Sequence, residues 1–171
     1  FDLRFSADWL LDKSDPKQGH RLIRGLQSGA PVLDDVYDTR AGLAQPQQRS
    51  EAYGGSLVAT WELNDTWTVK NILAYREDES STPIDFDSLP AIDVDVPAIY
   101  ENNQFSEELQ FLYSSENLNG LIGVYYLDAD ALTYFDVVLA TTGALISVPG
   151  LNAQTYGDVN TKTWSVFADF T

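Results

Sequence analysis

Two tryptophans flank a short polar turn in WELNDTWTVKNILAYRED, residues 61–78. Trp61 and Leu63 lead into Asn64-Asp65-Thr66, and Trp67 and Val69 lead out. Asn and Asp favour tight reversals, and alternation of period two on either side makes the stretch a β-hairpin. On the second strand Trp67, Val69, Leu73 and Tyr75 share one face, which Asn71 interrupts, while Lys70 and Arg76 lie opposite. Large aromatics beside such a turn admit two readings. One is ordinary cross-strand packing; the other is a seat at a membrane surface, where Trp and Tyr concentrate.

The same rhythm runs outward in both directions. FDLRFSADWLLDK alternates Phe1, Leu3, Phe5, Ala7, Trp9 and Leu11 with Asp2, Arg4, Ser6, Asp8 and Asp12. YGGSLVATWEL does the same with Tyr53, Leu57, Ala59 and Trp61 against Ser56, Thr60 and Glu62. QFSEELQFLY groups Phe105, Leu109, Phe111 and Tyr113, with Glu107 spoiling the apolar face. SSENLNG then turns the chain into LIGVYYLDADA, and TKTWSVFADF alternates Trp164, Val166, Ala168 and Phe170 with polar positions. Six antiparallel strands are expected near residues 1–13, 53–63, 67–77, 104–114, 120–131 and 161–171. Leu3, Phe5, Leu57, Ala59, Val69, Leu73, Leu109, Phe111, Val166 and Ala168 should face lipid or an apolar partner. Arg4, Ser6, Thr60, Glu62, Lys70 and Ser165 should face water.

The connections alternate strictly in length. Those at Asn64 to Thr66 and Ser114 to Asn119 are short; those at Ser14 to Ala52, Glu77 to Asn103 and Leu132 to Asn160 are long. In an all-β, up-and-down antiparallel meander this order puts every long loop at one end of the sheet. Outer-membrane barrels have that asymmetry, with short periplasmic turns and long external loops. The fold expected is therefore a segment of a transmembrane β-barrel. Trp9, Tyr53, Trp61, Trp67, Tyr75, Tyr113 and Trp164 are the candidate membrane-interface aromatics, on the apolar parity near the strand ends.

Composition sets further bounds. The 171 residues are 44% hydrophobic and carry a net charge of -16, with 26 acidic against 10 basic residues. That balance repels nucleic-acid phosphates. Cysteine is absent, so neither disulfides nor thiolate chemistry is available. Methionine is absent as well, and both ends fall inside alternating runs, which makes residues 1–171 the expected piece of one larger domain. No run approaches the roughly 18 apolar residues of a membrane-spanning helix.

Chemistry-bearing clusters are few. Asp85, Asp87, Asp93 and Asp95, with Glu101, form an acidic stretch that offers a hard cation such as calcium a set of oxygen ligands. DFDSLPAIDVDVPA lacks EF-hand spacing, however, and a solvated acidic loop is the plainer reading. The loop is expected on the external face, either mobile or cation-stabilised. Paired carboxylates suit a glycosidase, but any acidic protein offers such pairs. His20, in PKQGHRL, has no nucleophile motif beside it, and YGG at residues 53–55 lacks the Lys and helix of a phosphate loop. No enzyme activity is expected.

NDTWTVKNILAYRED, NNQFSEELQF, LNGLIGVYYLD and TKTWSVFADFT, in this order, resemble the early barrel region of TonB-dependent outer-membrane receptors. AYRE at residues 74–77 and QFSEELQ at 104–110 are the most specific parts, and the loops GHRL, DVYDTRAGL and TPIDFDSLP look like those of Gram-negative proteobacterial members. The resemblance covers nearly the whole chain. It implies a 22-stranded barrel with an N-terminal plug that takes up a scarce nutrient (siderophore-bound iron, a vitamin or a glycan), energised by the TonB complex. Its partners would be outer-membrane lipid, the remaining strands, the plug and a small nutrient ligand. The sequence contains no plug and no TonB-contacting box, and six strands fall short of the about eight of the smallest single-chain barrels, so this piece alone would not transport. The resemblance carries over no ligand-site residue. On it, Trp61 and Trp67 flank a periplasmic turn. The alternatives are a soluble acidic β-sheet protein that grips a ligand with its long loops, and one that assembles through its open edges.

Overall fold

The computed structural model describes residues 1–16, 18–25, 28–38, 42 and 47–171. Parts of the connection expected from Ser14 to Ala52, including residues 39–41 and 43 of DVYDTRAGL, lie outside the described residues. The chain forms strands β1 (Asp2–Asp12), β2 (Arg49–Glu62), β3 (Trp67–Asp85), β4 (Asp95–Ser114) and β5 (Asn119–Val138), a short helix α1 (Ala140–Leu145), and β6 (Asn152–Phe170). The strands lie in one antiparallel sheet in the order β1-β2-β3-β4-β5-β6. The expected meander is present, and the sheet is open rather than closed.

Turn chemistry explains the two tight hairpins. Asn64 Oδ1 accepts hydrogen bonds from the backbone N–H of Thr66 and of Trp67, both at 2.9 Å, and from Thr66 Oγ1 at 2.8 Å. This Asx turn satisfies the donors that the reversal leaves unpaired, and Leu63 N donates to Trp67 O to close it. The second turn is tied by Ser115, whose N–H donates to Leu118 O at 2.9 Å and whose Oγ accepts from Leu118 N.

The far end differs from the sequence expectation. β3 continues to Asp85, β4 begins at Asp95, β5 runs to Val138 and β6 begins at Asn152. Two of the three expected long loops, Glu77 to Asn103 and Leu132 to Asn160, are therefore largely strand. Pro83 and Pro97 concealed this. They face each other across the β3–β4 pair, where neither needs to donate to a third strand. β2 stops pairing with β3 at Ser81, and the β4–β5 ladder passes over Val96 and Pro97. Proline is tolerated in a sheet where no ladder donor is required.

The sheet has almost no interior. Among the described residues the buried apolar side chains are Pro83, Leu89, Val96 and Ala98, all at the long-connection end. A folded monomer of this mass exposes about 8,400 Å² by the usual size scaling, whereas this chain exposes 11413 Å².

Candidate functional site

Directly paired residues of an antiparallel sheet project from the same side, so the register assigns both faces. Leu3 pairs with Ala59, Phe5 with Leu57, Leu57 with Leu73, Val69 with Phe111, Leu109 with Val124 and Val124 with Val166. One apolar face thus extends across all six strands, interrupted by Asn71 and Glu107. Thr60 pairs with Lys70 and Lys70 with Gln110, which puts them on the opposite, polar face together with Arg4, Ser6, Glu62 and Ser165. On that polar side Arg76 forms an ion pair with Asp8 at 2.5 Å.

All seven candidate aromatics lie on the apolar face, in two rows. Trp61, Trp67 and Tyr113 form the row beside the tight turns, with the Trp67 and Tyr113 rings 4.9 Å apart and tilted by 57°. Trp9, Tyr53, Tyr75 and Trp164 belong to the other row, which Phe105 and Tyr126 complete. Two residues farther along the same face come Leu11, Glu51, Glu77, Asn103, Asp128 and Lys162, so on five of the six strands the apolar run ends in an aromatic followed by a polar side chain. The aromatic tips reach for those groups. Trp9 Nε1 donates to Glu51 at 3.1 Å, Tyr75 Oη to Glu77 at 2.6 Å and Tyr126 Oη to Asp128 at 3.2 Å. Lys162 sits 3.0 Å from Asp128.

This row crosses the strands obliquely. Trp9 pairs with Tyr53, but Tyr53 faces Glu77 rather than Tyr75, and Phe105 faces Asp128 rather than Tyr126. The row therefore steps by two residues at β2–β3 and at β4–β5, and not at the other three strand pairs. From β1 to β6 the row moves about 14 Å along the strands while crossing about 24 Å of sheet, an inclination of about 30° at standard strand spacings. Between the rows, Trp67 to Tyr75 spans about 27 Å along the strand.

The acidic stretch is built into the opposite end. Asp85 and Asp95 are strand ends paired with each other and are 4% and 0% exposed. They are not solvated loop residues. Asp85 accepts the backbone N–H groups of Asp87, Ser88 and Gly42, Asp87 those of Leu89 and Val94, Asp93 that of Thr142, and Asp95 that of Asp93. These carboxylates cap turns and tie the three connections together, with Gln18 Oε1 accepting from Asp85 N and Arg21 Nη1 donating to Asp87 O. Glu101 lies apart, paired with Glu79 and Leu132 on the sheet. Among the described residues no group of three or more acidic or histidine side chains is arranged to hold a metal ion. Burial holds the carboxyl of Asp85 above its ordinary range and, with repulsion from Asp85, pushes that of Asp95 up to about 6. His20 Nδ1 lies 3.2 Å from the carbonyl of Asp38, outside this cluster.

Tyr126 and the carboxylates Glu51, Glu77 and Asp128 were not among the sequence candidates. Counting two positions outward from each aromatic would have found them. Comparison with protein-family models, with curated proteins and with solved structures finds no match.

Proposed function

We propose that this sheet is a wall segment of a TonB-dependent receptor barrel in the outer membrane of a Gram-negative bacterium, a transporter for a scarce nutrient. The observation that carries the membrane reading is the uncovered apolar face, which extends over six strands and is bounded by two aromatic rows. In water so large an apolar area demands a partner; lipid supplies one without further protein. Two proportions of the sheet bear on this environment. Strands of outer-membrane barrels tilt by about 35–45° and carry an apolar band about 25 Å tall between aromatic girdles. The row's inclination of about 30° lies just below that tilt, and the spacing between the rows, about 27 Å along the strand, projects to about 23 Å of height, close to that band. The polar face lines the lumen, the tight turns lie on the periplasmic side, and the tall strand extensions with their loop cluster stand outside the cell. The receptor type rests on the resemblance of the strand motifs, and nutrient binding and TonB coupling belong to the complete barrel.

The absence of cysteine makes the test clean. Single cysteines are placed at Leu57, Val69, Phe111 and Val124, and at Thr60, Lys70, Gln110 and Ser165, in protein expressed in Gram-negative cells. Lipid wall residues should resist a water-soluble thiol reagent and be quenched by a lipid-borne one, and the second set should show the reverse. Equal aqueous labelling of both sets would dismiss the membrane reading.

A further inference from the structure

We infer that Asp85 and Asp95 form a proton-sharing carboxyl pair that latches the three connections into one cluster, which loosens when the proton leaves. The inference stands on the local geometry of the hairpin and not on the membrane reading. The two residues are direct partners at the end of the β3–β4 ladder, so their side chains project from one side of the hairpin. Both are withdrawn from water, and Asp95 Oδ1 has no hydrogen-bond partner. Two facing carboxylates in such a place cannot both ionise cheaply, and one proton between them removes the repulsion.

Among the described residues no cation compensates the pair. Asp87 and Asp93 add negative charge from the hairpin tip. From the first connection Gln18 and Gly42 are neutral, and Arg21 gives its N–H to the backbone carbonyl of Asp87. From the third connection Thr142 is neutral. Space is equally tight, because a side chain on Gly42 would come within 2.5 Å of Ala91 O and 2.7 Å of Asp95 Oδ2. Asp85 also accepts the N–H of Gly42 from the first connection, and Asp95 accepts that of Asp93, whose own carboxylate accepts the N–H of Thr142 from the third, so charge and closure are coupled.

The direction follows from linkage. The carboxyl of Asp95 titrates near 6 when closed and near 3.8 when free. The closed cluster thus binds the proton more tightly, its added stability is complete below about 3.8, and that stability is lost as pH rises to about 6. Hydrogen exchange at the amides of Ser88, Asp93 and Val94, corrected for intrinsic rates, measures opening of the cluster. Opening should increase by up to about tenfold per pH unit between about pH 4 and 6 and then level off. Asp95→Asn, neutral at every pH, should keep these amides protected and remove the slope. A carbon-13 carboxyl titration of the unaltered chain gives a second readout, with the Asp95 midpoint expected near 6. Exchange that is flat from pH 4 to 8, a slope that survives Asp95→Asn, or an Asp95 midpoint at or below 4 would overturn the latch.

Discussion

Asn71 Nδ2 donates a hydrogen bond to Glu107 Oε1 at 3.0 Å, joining the two polar side chains that interrupt the apolar face. They come from adjacent strands and are diagonal neighbours, since Asn71 pairs with Leu109 and Glu107 with Leu73. Asn71 lies midway between Trp67 and Tyr75. Each would be a defect alone; together they satisfy one another.

Removing only one partner should therefore cost more than removing both. In lipid, Asn71→Leu is expected to lower stability by about 1–3 kcal/mol, because it strands the Glu107 carboxyl. The double variant Asn71→Leu, Glu107→Leu should return to within about 0.5 kcal/mol of the original or exceed it. Equilibrium unfolding from bilayers, run as a double-mutant cycle, measures the difference.

Neighbouring positions should respond oppositely to charge. Leu109 lies on the apolar face near the middle of the band, and Gln110 on the polar face. Leu109→Arg is expected to cost about 2–4 kcal/mol in a bilayer, the penalty for a cation near the midplane of a barrel wall. Gln110→Arg should stay within about 0.5 kcal/mol, as surface changes usually do. Similar costs at both sites in the same unfolding experiment would contradict the assignment of faces.

The Asn64 turn has its own prediction. Asn64→Ala removes the acceptor of three hydrogen bonds at once. A loss of about 1–2 kcal/mol is expected, comparable to deletion of a helix cap. Asn64→Asp retains the acceptor oxygen and should recover most of it in the same denaturation series.

At the other end, Gly42→Ala should disturb the loop cluster without touching the rest of the sheet. Its added carbon would crowd Ala91 O and Asp95 Oδ2, and overpacking of this kind costs about 1–3 kcal/mol. Faster hydrogen exchange is expected at Ser88 and Val94, with exchange in β1 to β3 below Tyr75 unchanged.

Much of this architecture is legible in the chain itself. Alternation of period two and the Asn64 and Ser115 turns are local properties, so they announce the strands, the two tight hairpins and which residues share a side. The strand extensions were not legible. Pro83, Pro97 and the Asp- and Ser-rich segments carry loop chemistry, and only the pairing shows that neither proline occupies a position where a third strand needs its N–H.

Sequence alone, then, determined the meander and its two contrasting faces, because side-chain direction in a strand depends only on position along the chain. Register was decided by the tertiary structure. It set the oblique course of the aromatic row, brought Asn71 to Glu107, gave Trp9 its carboxylate partner Glu51, and closed Asp85 against Asp95 away from water. Each of these joins residues on neighbouring strands, and their encounter depends on how those strands slide past one another, which no local pattern specifies.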